Sequence, residues 1–287
     1  MLPHFFVIGA AKCGTTSLSH YLGEHPGIQL SRTSETRFFT PENQARPFPG
    51  VRIARLSDYE GLFDAQRLVR GEVCGAYSQH PWRAGAAERI RDLIPAARFV
   101  YLVGDPVRRV ESHYVQTVAE EGETRPISTA LGNIEIDDHP AVCPGRYAQQ
   151  LDRYLALFPQ ERILVVDRDE LLGERERTLS EIFSFLGVDP AFRSEAFSQT
   201  RNLSADHRRL STGLYGRLRS GPLKQGLAAL PAPLRERLVG RARQALAAEV
   251  PRPKLDPGLR SRLEEHFAPE VERLREMTGQ SFAGWSV

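Results

Sequence analysis

The sequence predicts an α/β fold, with a central parallel sheet flanked by helices in a three-layer sandwich. Two observations predict it. Short apolar runs such as HFFVIGA (His4–Ala10), RFVYLV (Arg98–Val103) and RILVVDR (Arg162–Arg168) read as buried strands. Amphipathic stretches at helical spacing lie between them, and strands that alternate with helices build parallel sheets covered on both faces. At 287 residues the chain is long enough for a sizeable core, and one domain over 1–287 is expected.

The first strand, His4–Ala10, ends in glycine. Thr15–Glu24 follows as a helix, with Leu18, Tyr21 and Leu22 at helical spacing and HPG as its stop. Arg83–Pro95 reads as a helix that proline ends. Beyond the strand Arg98–Val103, Asp105–Ala119 reads as a helix, with Asp105 as N-cap and Pro106 in the first helical position. Tyr147–Pro159 is amphipathic and helical, and leads into the strand Arg162–Arg168. Thr178–Val188 is a helix with a glycine near its end. Gly258–Gly279 reads as one long helix, or two broken by Pro269. Two segments fit poorly. Gly122–Pro144 is polar and reads as a long surface loop. The stretch at about 220–257 is rich in Gly, Pro, Ala and Arg and reads as a lid or helical insertion.

Composition narrows the function. The 38 basic residues are balanced by 36 acidic ones, which argues against a nucleic-acid binder. No run of 18 apolar residues occurs, and no targeting segment precedes the first strand, so a soluble cytoplasmic protein off the membrane is expected. Cys13, Cys74 and Cys143 stand apart, without metal-ligand or disulfide spacing, which fits thiols in a reducing compartment.

Three clusters carry chemistry. In VIGAAKCGTTSL (Val7–Leu18) a strand turns through glycines and hydroxyl residues into a helix. Backbone N–H groups and the helix N-terminus would converge there on an anion, with Lys12 as a mobile cation. In the common nucleotide loop G-x-x-x-x-G-K-[ST] the lysine follows the second glycine. Here Lys12 precedes Gly14. YLVGDPVRRVESHY (Tyr101–Tyr114) is again strand, turn and helix, with Ser112, Arg108 and Arg109 placed for a further phosphate. In SETRFFTP (Ser34–Pro41), Glu35 beside an aromatic wall is a candidate general base. Each cluster also has a purely structural reading: a tight turn, a capped surface helix, a charge at a strand edge.

Taken together, the clusters resemble the sulfotransferases that use 3′-phosphoadenosine 5′-phosphosulfate (PAPS), in the branch that includes the heparan sulfate sulfotransferases and bacterial relatives. IGAAKCGTTSL (Ile8–Leu18) matches that family's opening loop, I-G-x-x-K-x-G-T-[ST]-x-L, at every fixed position. ETRFF (Glu35–Phe39) matches its acidic segment, E-x-x-F-F. GDPVRRVESHY (Gly104–Tyr114) matches its second phosphate motif except at the first residue. The runs Tyr147–Leu172 and Leu274–Trp285 are also similar to the family.

The resemblance implies a P-loop-like fold and in-line transfer of a sulfuryl group from PAPS to a hydroxyl of a carbohydrate or small natural product, without a metal. It implies that Lys12, Cys13, Gly14, Thr15, Thr16 and Ser17 form the loop that holds the 5′-phosphosulfate. Lys12 would offset charge on the leaving phosphate, Glu35 would take the acceptor's proton, and Ser112 would bind the 3′-phosphate. The chain departs from the family in three places. The arginine that opens the second motif, and normally contacts the 3′-phosphate, is Gly104. Arg108, Arg109 or an arginine of DHRRLS (Asp206–Ser211), Arg209 among them, would replace it, or the donor binds more weakly. Val73 stands where some members place a lysine, and Ser34 where a lysine usually precedes the base. His80 is the second candidate base. Two rivals stand beside this reading: a P-loop kinase, with Asp167 as its best Mg²⁺ ligand, and a nucleotide-binding homologue of weakened activity.

Overall fold

The computed structural model describes residues 1–41, 53–64, 66, 68–198, 208–209, 248–250 and 252–287. Two compact units are present. The first comprises Met1–Val110, Asn133–Arg201 and Arg260–Val287, and the second comprises Glu111–Gly132 and Asn202–Leu259.

The first unit is built on a five-stranded sheet with β1 (Phe5–Gly9) at its centre. Helix α1 (Thr15–Glu24) carries the chain to β2 (Ile28–Leu30), and α2 (Leu56–Glu60) precedes β3 (Val69–Val73). Then come α3 (Ala86–Leu93), β4 (Arg98–Val103), α4 (Pro106–Gln116), α5 (Ile127–Leu131), α6 (Tyr147–Leu155), β5 (Ile163–Asp167), α7 (Arg168–Gly173) and α8 (Arg175–Leu186). The order across the sheet is β2–β3–β1–β4–β5, and every pair is parallel. The chain thus winds one way from β1 and then the other, so ligands are expected outside the carboxyl ends of the strands.

Burial on both faces explains the apolar strands. All five residues of β1 are buried, and Phe6 stacks on Phe99 of β4 at 5.9 Å between ring centroids. The expected strands at β1, β4 and β5 and the helix α1 lie where the apolar pattern puts them. Asp105 caps α4, its Oδ1 accepting from the N–H groups of Val107 (2.9 Å) and Arg108 (3.0 Å). The last helix, α9 (Pro257–Thr278), is continuous, with Pro269 inside it.

One expectation needs correction. The polar run Gly122–Pro144 is no open loop: it contains α5 and buries Ile127, Leu131, Ile134, Ala141, Val142 and Cys143. Strands β2 and β3 carry too little apolar pattern to be read from sequence. Of the stretch at about 220–257, all but 248–250 and 252–257 lies outside the described residues.

Among its described residues, the second unit holds the end of α4, a π-helical turn (Thr117–Glu121), α5 and a short antiparallel pair, β6 (Arg208–Arg209) with β7 (Ala248–Glu249). Arg209 faces Ala248 across that pair. Within the same unit Tyr114 donates its hydroxyl proton to the carbonyl of Arg125 at 2.7 Å. Among the described residues no helix is long and apolar enough to cross a membrane.

Candidate active site

The opening loop sits at the carboxyl end of the central strand. Two backbone features shape it. Gly9 has φ +143°, and a Cβ there would lie 2.1 Å from Ser78 Oγ, so only glycine lets β1 end against the turn Gly75–Ser78. Gly14, at φ +97°, is the N-cap of α1 and supplies no side-chain cap. Helix α1 therefore opens without an N-cap side-chain oxygen on its first backbone donors, an arrangement that suits an anion. Lys12 also adopts the left-handed region, at φ +75°, an unusual conformation for a non-glycine residue and common in functional loops. Thr15 and Ser17 are half-buried and Thr16 is exposed.

Cys13 faces the other way. Its thiol is buried and lies 3.4 Å from the Tyr147 hydroxyl, which donates to the carbonyl of Gly104 at 2.7 Å. Burial pushes the thiol above its ordinary range. Its backbone N–H turns back onto the carbonyl of Ala10 at 3.0 Å. Cys13 thus pins the loop to the start of the second phosphate motif.

Glu35 follows β2 and lies beside this loop. Its Oε1 accepts from the N–H of Gly75 at 2.9 Å, and its Oε2 accepts from the Cys74 thiol at 3.4 Å. A Cβ on Gly75 would meet Ala11 Cα at 3.5 Å and Glu35 Oε1 at 3.6 Å, so the carboxylate and the loop flank one glycine. Glu35 and Arg37 both sit at positive φ, +53° and +54°. The two phenylalanines that follow hold that strained segment. Phe38 stacks on Tyr59 at 4.2 Å, and Phe39 meets Phe6 edge-on at 5.5 Å.

A buried carboxylate beneath the segment, Glu72 of β3, fixes it further. It accepts from Thr36 (2.5 Å), Tyr59 (2.5 Å) and Tyr77 (2.9 Å). Burial outweighs these three donors and raises its pKa to about 7. Two buried arginines complete the wall. Arg37 and Arg83 are desolvated, Arg83 feels the charge of Arg37, and both are drawn to Glu35. Neither Glu72 nor Arg83 was singled out from sequence; a glutamate inside an otherwise strand-like run, VRGEV, was the available signal.

His80 lies elsewhere. Gln150 grips its backbone on both sides at 2.7 Å, and the charges it feels are those of Arg153 and Glu88. Asp167 is committed as well: its Oδ1 caps α7 through Asp169 N (3.0 Å) and accepts from Trp285 Nε1 (3.2 Å). Among the described residues no group of three His, Cys, Asp or Glu could hold a metal ion. Arg109 is buried, bonded to the carbonyl of Ala141, with Nε and Nη1 left without a hydrogen-bond partner among the described residues. Ser112 is half-buried on α4, beyond the point where that helix enters the second unit.

Residues 51–192 match the family model described as "Sulfotransferase family". A sulfotransferase from Alicyclobacillus acidocaldarius, known from its crystal structure, superposes with a TM-score of 0.72 at 26% identity, over 99% of this chain and 98% of that one. By this match and this superposition the chain is similar to the sulfotransferase family. Human heparan sulfate glucosamine 3-O-sulfotransferase 6 is 25% identical over 99% of this chain and 73% of its own length. The human bifunctional heparan sulfate N-deacetylase/N-sulfotransferase 3 is 28% identical over 69% of this chain. This chain spans only about a quarter (24%) of that bifunctional relative. The candidate residues gather at one edge of the sheet: the Lys12 loop follows β1, Glu35 follows β2, Gly75 follows β3, Gly104 follows β4 and Arg168 follows β5.

Proposed function

We propose that the chain transfers the sulfuryl group of PAPS to a hydroxyl of a carbohydrate or related small acceptor. The observation that carries this reading is the shared glycine: Glu35 and the anion loop meet at Gly75, so a base and a phosphosulfate cradle face one reaction centre. The acceptor hydroxyl gives its proton to the Glu35 carboxylate as its oxygen bonds to sulfur. The bond from sulfur to the 5′-phosphate oxygen breaks in line, and the growing negative charge on the leaving 3′,5′-bisphosphate (PAP) falls to Lys12 and the N-terminus of α1. Chemistry of this kind asks for position and charge rather than a covalent intermediate. Thr15, Thr16 and Ser17 would bind the 5′-phosphosulfate, and Ser112 would take the 3′-phosphate. Arg209 stays a candidate through its sequence motif alone.

The heparan sulfate relatives favour a sugar acceptor, and the Arg37–Arg83 pair beside the base suits one that is itself anionic. Three buried free thiols fit a cytoplasmic setting. Calorimetry with PAP and with ATP–Mg²⁺, followed by sulfate transfer from labelled PAPS to glucosaminyl oligosaccharides and simple alcohols, tests the proposal. PAP binding and labelled product are expected. Binding of ATP–Mg²⁺ without PAP would replace it with the kinase reading.

A further inference from the structure

We infer that Arg168 is the donor-phosphate arginine of this chain, standing in for the one missing at Gly104 and binding the 3′-phosphate. The inference rests on the PAPS reading above. Position 104 follows β4 and position 168 opens α7 after β5, and these two strands are neighbours in the sheet. A Cβ on Gly104 would lie 3.3 Å from Arg168 Cβ and 3.4 Å from its Cδ. The stem of Arg168 thus runs through the space that a side chain at 104 would need. From there it reaches the anion loop, with Nε and Cγ each 3.9 Å from where a Cβ on Gly14 would sit. The arginine has been exchanged between adjacent strand ends rather than lost.

The guanidinium is available for a ligand. Its side chain is 26% exposed, it donates no hydrogen bond among the described residues, and its ion pair there, with Asp169, is long at 3.7 Å. Asp169 also faces Arg108, at 4.0 Å, and Arg108 in turn pairs with Asp105 at 3.7 Å, so the Asp169 carboxylate is shared between two guanidinium groups. Arg109, by contrast, is buried, with one bond to the carbonyl of Ala141. A planar fork of donors at this place suits a phosphate better than a lysine would.

The test is calorimetry on the full chain with PAP and with adenosine 5′-monophosphate (AMP), which lacks the 3′-phosphate. Arg168→Gln should weaken PAP roughly 10- to 100-fold, the loss of a charge-assisted phosphate contact, and leave AMP nearly unchanged. Gly104→Arg alone should weaken PAP, because its Cβ meets Arg168 close to the backbone. The exchange Gly104→Arg with Arg168→Gly should recover most of the lost affinity, a rescue that a merely structural role would not give. Equal losses for PAP and AMP, unchanged PAP affinity in Arg168→Gln, or no rescue in the exchange would each overturn the role of Arg168 while the donor reading stood. Failure of the wild-type chain to bind PAP would overturn the donor reading itself.

Discussion

Glu35 and Gly75 are joined by a 2.9 Å hydrogen bond, from the Gly75 N–H to the glutamate's Oε1. The same glycine packs against Ala11 of the anion loop. A side chain from after β2 and a loop from after β1 are therefore registered through a turn that follows β3, the strand between them. The bond orients the carboxylate while Oε2 stays close to the poorly acidic Cys74 thiol, whose pKa burial raises well above the ordinary value. Glu35→Gln keeps an oxygen for Gly75 and removes the base. Transfer should fall by about 10²–10⁴-fold, the usual worth of a positioned general base, with PAP affinity nearly unchanged. Initial rates with labelled PAPS measure it, and near wild-type turnover would assign the proton to another group.

Lys12 stands two residues before the N-cap of α1, where the proposed reaction gathers charge on the leaving phosphate. Lys12→Ala should cost on the order of 3 kcal/mol of transition-state stabilisation, about 10²-fold in rate. Lys12→Arg, which keeps the charge but not the compact ammonium, should fall between the two. Single-turnover kinetics at saturating donor separate this effect from binding. A change in KM alone would make Lys12 a ground-state contact only.

Glu72 gives the fold a pH dependence with a defined sign. Its pKa is about 7 in the folded chain against an ordinary 4.5, because burial disfavours its charged form. Folded protein therefore holds this proton in a range where unfolded protein has released it. The stabilising share is complete below about pH 4.5 and is lost as pH rises to about 7. Glu72→Gln does not titrate. The difference in Tm, wild type minus Glu72→Gln, should fall across that window and level off above it. A flat or rising difference in thermal melts would contradict the raised pKa.

Much of the local structure at this edge of the sheet was legible in the sequence, and for a physical reason. A buried central strand must be apolar, an anion loop must be small and glycine-rich, and an N-cap must carry a short acceptor, so β1, the Gly14 loop and Asp105 each leave a local mark. Strands β2 and β3 leave little: β2 is three residues long, and β3 carries Arg70 and Glu72 within five residues. Glu72 is tolerated there only because Thr36, Tyr59 and Tyr77 converge on it from other segments. Arg168 escaped for a related reason. Its closeness to Gly104 depends on β4 and β5 lying side by side, which no local pattern encodes.

Trp285 ties the end of the chain to this edge of the sheet. Its indole N–H donates to Asp167, its ring stacks on Phe282 at 4.4 Å and meets Tyr147 at 5.7 Å, and the next residue, Ser286, donates its N–H to Asp105. The carboxylates that close β4 and β5 are thus both held by two adjacent C-terminal residues. Tyr147 in turn bonds Gly104 and touches Cys13, so the anchor reaches the anion loop in two steps. Trp285→Ala should destabilise the fold by about 3–5 kcal/mol, as for large aromatic truncations in cores. Trp285→Phe keeps one aromatic ring and loses the rest of the indole with its hydrogen bond to Asp167, so it should cost less, about 1–3 kcal/mol. Because Tyr147 loses a packing partner only in the alanine variant, PAP affinity should drop there and hold in the phenylalanine variant. Denaturant melts and PAP calorimetry on both variants decide it, and equal PAP affinity in the two would cut the proposed link from Trp285 to the loop.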